Sequence, residues 1–593
     1  MKKQFGLPLM LASALAFSAC SSDDVAEKGN GALTDFTNGG YVKMAINMPT
    51  VKSSEGAFKG VNDDYQDGTA DEYAVNNTTV IMFQGNNEND AIFHSAYNIT
   101  DTWHSELAPN GQISSILQLT KKVNEPAIGS NLYALVVVNN NGLLSVGADH
   151  KLTVGSDNFT GNFTDFKNKL ATATSVSGTD FSGAGLFMAN APLSKGTGGT
   201  AKSDGPVTTL VNLTSDVYPT ATAAEAKPAA HIYIERGVAK VTFVHPKTDE
   251  KFTTDAFSNG QGVAAVTYTM DGWSLDITNT KSYLVRHVNP TWNAYQTDIT
   301  PATGAIAKPF RFVGNTEVHD GLYRTYWAED PNYSSTPSDA FNKVTNVADV
   351  NKPFGESNPL YCLENTFNVD NQNQDATTRA IIRVKVKING TEGDFYTVNG
   401  GKTTLYSKEN LDNLVKNAII TNSDVVAANG GTAPNATDIT LSYSDLGDNV
   451  QEVGGITLTL ADGTLLSAKT NYNNILTAVN DAVKNITKYV GGYVYYPVRI
   501  KHFGDELTPW AQAYDSNIKG TTIYPATNKE KRYLGRYGVV RNNWYELEVN
   551  SIKGIGYAVI PPANNVPDDV LDQYISVKIN ILSWAKRTQS EKL

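Results

Sequence analysis

Cysteine is nearly absent from this chain: 593 residues hold two, Cys20 and Cys362, too few for a disulfide framework once Cys20 is spoken for below. Basic residues are outnumbered, 48 Lys and Arg against 60 Asp and Glu, and the formal net charge is −12. No cluster of Lys or Arg is long enough to form a phosphate-binding stripe, which argues against nucleic acid as a partner. The eight histidines show no metal-ligand spacing, and no Gly-x-Ser-x-Gly elbow occurs. Gly400-Gly401-Lys402-Thr403 ends like a P-loop, but Tyr396 stands where its first glycine belongs, so a hairpin turn is the better reading. The acidic stretches 63–71 and 370–375 lack the glutamate that a calcium loop carries at its twelfth position and read as solvated turns. No metal, cofactor or catalytic role is expected.

What is present begins with an address. Lys2 and Lys3 precede an apolar run, 5–17, too short to anchor a protein across a bilayer, and the pair reads as a signal peptide over 1–19. Phe17-Ser18-Ala19-Cys20 puts small residues before a cysteine, as a lipoprotein signal peptidase requires. Cleavage is expected between Ala19 and Cys20, with a lipid on the Cys20 thiol and attachment of the precursor to an outer membrane. Ser21-Ser22-Asp23-Asp24 resembles the surface-export signal of lipoproteins from anaerobic Gram-negative bacteria.

The body reads as all-β. Leu132-Tyr133-Ala134-Leu135-Val136-Val137-Val138 and the run 380–388 are short, rich in β-branched residues, and end in Asn-Asn-Asn-Gly or Asn-Gly turn signals. Similar runs recur at 80–83, 232–244, 263–270, 456–460, 493–500 and 544–552. Helices are few: 474–488 places Ile475, Leu476, Val479, Val483 and Ile486 on one face, and 411–420 is a second. Two β-sandwiches with a boundary near 245–251 is the economical architecture.

The two ends of the chain carry matching patterns. In 42–48, Val42, Met44, Ile46 and Met48 alternate with Lys43, Ala45 and Asn47; in 575–582, Ile575, Val577, Ile579 and Ile581 alternate with Ser576, Lys578, Asn580 and Leu582. Either segment could fill the same kind of groove in a sandwich, one within its own subunit and one in a neighbour. Such a pair suits a subunit that polymerises with itself.

Several blocks then show a family resemblance. They are the first strand with Pro49, Asn62-Asp63-Asp64-Tyr65, Gly185-Leu186-Phe187-Met188-Ala189-Asn190-Ala191-Pro192, Ile234-Glu235-Arg236-Gly237-Val238-Ala239-Lys240-Val241, Tyr326-Trp327-Ala328-Glu329-Asp330-Pro331-Asn332-Tyr333, Tyr361-Cys362-Leu363-Glu364-Asn365-Thr366, and the stretches 496–504 and 535–545. In this order they resemble the fimbrillins that form type V pili, most closely the major subunits of the short, or minor, fimbria type. The resemblance implies two transthyretin-like β-sandwich domains, 60–248 and 249–570, behind a propeptide 20–59 and ahead of a donor segment 571–593. It implies that a maturation protease removes the strand Val42, Met44, Ile46 and Met48, and that Ile575, Val577, Ile579 and Ile581 of a neighbour replace it. The chain itself would be the main partner, in a head-to-tail polymer, with fimbrial anchor and tip accessory subunits and an unidentified surface ligand besides. Family members often present Arg at the cut, yet the first Arg here is Arg236; the pattern puts the cut between Lys59 and Gly60, with Lys52 and Ser53 as the alternative. A glycan-binding surface lipoprotein, with Tyr489, Tyr493, Tyr495 and Tyr496 as a stacking platform, is the competing reading, and a surface hydrolase is a third.

Overall fold

A computed structural model describes residues 39–48, 70–107, 113–124, 129–172, 185–195, 207–244, 250–252, 257–288, 313–319, 321–334, 339–368, 371, 373–502, 538–565, 575–583 and 586–588. Eight strands organise the first part: β1 (Gly40–Asn47), β2 (Thr78–Gly85), β3 (Ile92–Ile99), β4 (His104–Leu107), β5 (Ile113–Val123), β6 (Asn131–Val138), β7 (Met188–Asn190) and β8 (Ala230–Arg236). Their spatial order is β3-β2-β6-β7-β8-β1-β5-β4. Strand β6 is apolar along its length because it is covered on both faces, and every residue from Leu132 to Val138 is buried. Its Asn-rich turn signal does more than reverse the chain. Asn139 sits at φ +55°, its Nδ2 donates to the Ala74 and Leu186 carbonyls at 2.7 and 2.9 Å, and its Oδ1 accepts from the Asn76 amide at 2.8 Å.

Strand β8 changes partners along its length. Residues 230–233 pair parallel with β1, and 234–236 pair antiparallel with β7. This is how a single strand joins the two faces of a sandwich. The apolar run 232–244 therefore is not one strand: it breaks at Gly237, whose amide donates to the Phe187 carbonyl at 2.8 Å, and β9 (Val238–Val244) begins the second sandwich.

That second sandwich uses β10 (Val266–Asp276), β11 (Leu360–Leu363), β12 (Arg379–Ile388), β13 (Tyr493–Arg499), β14 (Asn543–Ile552), β15 (Ile575–Ser583) and β16 (Lys586–Thr588). One sheet runs β11-β9-β14-β15-β16, and in the other β12 lies between β10 and β13. Phe243, Tyr545 and Leu547 from the first sheet meet Trp273, Ile382, Val384 and Tyr496 from the second in one core. All-β architecture is thus the fold class of both parts.

Between β12 and β13 the chain builds a third, smaller core from Leu411, Val415, Ile419, Ile456, Ile475 and Val479. Helix α1 (Lys408–Ile420) starts three residues ahead of the expected 411, because the Ser407 hydroxyl caps the Asn410 amide at 3.1 Å. Helix α2 (Tyr472–Ala482) ends six residues short of the expected 488. Asn485 turns the chain at φ +53°, and Ile486–Tyr489 continues as a strand. Val483 and Ile486 are buried as the helical period implied, but the last of them gets there on a strand.

The joint between the sandwiches is ionic. Lys240 on β9 lies 2.7 Å from Glu72, which also accepts from the Tyr361 hydroxyl, and the ammonium sits 3.9 Å from the centre of the Trp544 ring. Burial alone would push the Glu72 carboxyl up, and Lys240 with Tyr361 more than offsets it, holding the group below its ordinary value.

Candidate functional site

Strand β1 occupies a slot. On one side all eight residues pair antiparallel with β5, from Gly40 opposite Val123 to Asn47 opposite Ile116. On the other, Tyr41 and Val42 pair with Tyr218 and Val217, and Met44 to Asn47 pair with Ala230 to Tyr233 of β8. A strand so placed has no free backbone edge over most of its length. Val42, Met44, Ile46 and Met48 are each 0% exposed within the first core. Fully burying four side chains of this size contributes about 6–12 kcal/mol by area.

The opposite face of β1 is covered more than the alternation implied. Ala45 and Asn47, expected to face outward, are buried as well. The short helix Ala221–Glu225 packs against the strand, and the Lys43 ammonium reaches across to its last turn, donating to the Glu225 and Lys227 carbonyls at 3.1 and 3.3 Å. Asn47 Nδ2 donates to the Ala45 carbonyl at 2.8 Å. Entry to the slot is narrow: a Cβ on Gly40 would meet Val217 Cγ1 at 2.2 Å, and Gly39 turns the chain at φ +78°. The paired glycines ahead of an alternating strand are the sequence signal for this tight start.

Ala19, Cys20, Lys52, Ser53, Lys59 and Gly60 lie outside the described residues. Both candidate cuts fall between the end of β1 and the next described element, Ala70–Tyr73. A cut at either place leaves β1 held by ladder hydrogen bonds and packing alone.

The C-terminal segment is already paired within its own chain. Strand β15 runs antiparallel to β14, with Ile575, Val577, Ile579 and Ile581 opposite Ile552, Val549, Leu547 and Tyr545, and these four β14 residues are buried. Its outer side is paired only over Asn580 to Leu582, against β16. Among the described residues, 575–579 have no strand on that side.

The tyrosine platform does not form. Tyr489, Tyr495 and Tyr496 are buried. Tyr489 stacks on Phe395 with ring centres 4.4 Å apart and accepts from Lys402 Nζ at 2.8 Å, and Tyr496 donates to the Gly554 carbonyl at 2.8 Å. Lys402, the lysine of the P-loop-like run, is thereby engaged in packing. Burial pushes the Cys362 thiol up to about 12, which leaves no reactive thiolate at neutral pH. Among the described residues, no group of three His, Cys, Asp or Glu side chains could hold a metal ion, and no helix is long and apolar enough to cross a membrane.

Comparison with known proteins bears on the second sandwich. Residues 487–590, which contain β13, β14 and β15, match the family described as major fimbrial subunit protein type IV, fimbrillin, C-terminal. This region is similar to the C-terminal part of fimbrillins. The match supports a structural subunit of the fimbrial kind. No curated protein matches the chain by sequence. Among solved structures, a candidate cell adhesion protein from Parabacteroides distasonis is similar at 10% identity and a TM-score of 0.32, covering 92% of this chain and 99% of that one. The tip fimbrial protein Mfa3 from Porphyromonas gingivalis, with a C-terminal truncation, is similar at 9% identity and 0.25, covering 92% and 100%. The fimbrial anchor protein Mfa2 from the same organism stands at 10% and 0.18, covering 71% and 98%.

Proposed function

We propose that this chain is a structural subunit of a cell-surface fimbrium, exported as a lipoprotein through Cys20, matured by proteolysis and polymerised by donor-strand exchange in the service of adhesion. The observation that carries the reading is the slot: a buried strand, paired on both sides, that a cut after Lys59, or after Lys52, would leave attached by no covalent bond. Losing β1 opens an apolar groove whose walls, β5 and β8, carry unpaired backbone groups, and such an edge is a template for another strand. The segment Ile575, Val577, Ile579 and Ile581 of a neighbouring copy has the alternation to refill it. Donor and acceptor surfaces differ, so the contact propagates as a filament instead of closing as a dimer. Partners in this scheme are the chain itself, anchor and tip accessory subunits, a maturation protease that accepts Lys, and a surface ligand. The precursor sits at the outer membrane through its lipid, and the role is structural, without catalysis.

The test is the N-terminal sequence and intact mass of the protein sheared from the cell surface. A start at Gly60 or Ser53 with an intact C-terminus is the expected result. A lipidated Cys20 start on all molecules would replace the shaft reading with a fimbrial anchor or a non-polymerising surface lipoprotein.

A further inference from the structure

Four side chains from separate stretches of chain meet where the two sandwiches join: Glu235 near the end of β8, Arg286 beyond the strand Lys281–Tyr283, Arg324 in the strand Leu322–Thr325, and Arg541 just ahead of β14. All four are buried. Arg541 is engaged: its Nε lies 3.2 Å from Glu364 Oε2, and its Nη2 donates to Ser282 Oγ at 2.9 Å. Arg286 donates to the Thr325 carbonyl at 2.7 Å, and its Nε lies 2.9 Å from Glu235 Oε1. Arg324 differs from both. It is 4% exposed, its backbone is fixed by pairing with Leu193, and its Nε and Nη2 are buried with no hydrogen-bond partner among the described residues.

Charge and size narrow what this arrangement can accept. Three guanidinium groups face two carboxylates, Glu235 and Glu364, and the second is taken up by Arg541. Burial pushes the Glu235 carboxyl up, which weakens the one remaining negative counterweight. A guanidinium withdrawn from water without a partner is strongly unfavourable, and an anion beside it removes most of that penalty. The space between these side chains leaves about 10 Å³ open to the centre of a water-sized sphere, room for a water molecule or one small ion.

We propose that this cavity is a halide site, binding one chloride ion on the free N–H groups of Arg324 with Arg286 and Arg541 around it. The ion ties together segments on both sides of the joint and so stiffens one sandwich against the other. The inference stands apart from strand exchange and holds whether or not the chain polymerises. A water molecule meets the size requirement, but it brings no charge to offset the arginines, and it makes the opposite prediction about halide dependence.

The experiment compares the melting temperature of the purified protein in about 1 mM and about 100 mM sodium chloride, with sodium gluconate holding ionic strength constant so that screening does not change. A halide site raises Tm by about 2 °C or more across this range, and Arg324→Met abolishes the rise. Should that variant fail to fold, crystals of the wild-type protein soaked in sodium bromide decide the matter. An anomalous peak within hydrogen-bond distance of Arg324 supports the site. A melting temperature indifferent to chloride, together with no bromide peak, overturns it in favour of a water.

Discussion

Strands β1 and β15 each carry four large apolar residues at alternate positions, yet among the described residues β1 is wedged between β5 and β8 while β15 has one long partner and a three-residue cover. Alternation sets which residues share a face; it does not set how many neighbours a strand has. The difference fits the two roles proposed. A strand that keeps a slot closed must be paired on both edges, so that the precursor exposes nothing. A strand that must leave for a neighbour is better kept on a sheet's outer side, where peeling away breaks one ladder and leaves the other strands in place.

The comparison breaks most visibly in β1. Ile46→Asp puts an unpaired charge at a fully buried position between two strands, and the precursor should lose about 4 kcal/mol or more, enough to prevent the first sandwich from folding. Limited proteolysis of the precursor would report this as loss of the protected N-terminal fragment. A variant that melts within a degree of wild type would mean that β1 is no part of that core.

The joint comes next. Lys240→Met leaves Glu72 buried without its cation and should cost about 3–5 kcal/mol, whereas pairing it with Glu72→Gln should recover a good part of the loss, because no isolated charge then remains. Chemical denaturation of the two single variants and the double variant gives the coupling directly. Additive losses would show that the two groups act independently despite their 2.7 Å separation.

In β15 the expected effect on the subunit is smaller and the effect on assembly is complete. Ile579→Asp should lower the stability of the second sandwich by about 1–3 kcal/mol, leave the first sandwich folded, and stop polymerisation. Normal fibres from this variant would sink the donor assignment while leaving the closed slot untouched.

Much of this was legible in the residues. The four slot positions Val42, Met44, Ile46 and Met48 follow from period two, and β6 with its Asn-Gly turn follows from β-branched composition and turn chemistry. The burial of Ala45 and Asn47 does not follow, because it depends on strand β8 and the helix Ala221–Glu225, which pack against β1 from far away in the chain. The break at Gly237 was hidden for a similar reason: apolar residues continue on both sides of it, and only the third dimension shows that they serve different cores. The joint leaves a trace in the sequence. Glu235, Arg236 and Lys240 interrupt an otherwise apolar run, and charges in that position must be paired once the run is buried. The blocks that carry the family resemblance also supply Tyr326, Tyr361, Glu364 and Arg541, so the quoted motifs gather at the joint more than at the two strands proposed to exchange.

The smallest predicted effect concerns acid. His287 follows the strand Lys281–Tyr283, its ring stacked on Tyr283 at 3.8 Å between centres, and its Nε2 donates to the Lys167 carbonyl of the first sandwich at 2.8 Å. Burial holds the imidazole neutral and lowers its pKa to about 4, against about 6.5 in an unfolded chain. Between those values the unfolded chain binds a proton that the folded one refuses, so stability is fully present above about pH 6.5 and drains away as pH falls toward 4, by at most about 1.4 kcal/mol per pH unit. His287→Gln keeps a donor near the Lys167 carbonyl but cannot titrate. Urea unfolding midpoints at about pH 7 and about pH 5 should therefore lie closer together in the variant than in wild type. An unchanged gap would mean that the acid sensitivity of the fold resides in its carboxylates, with Glu72 at the joint the first to examine, since its depressed pKa makes its contribution disappear only at lower pH.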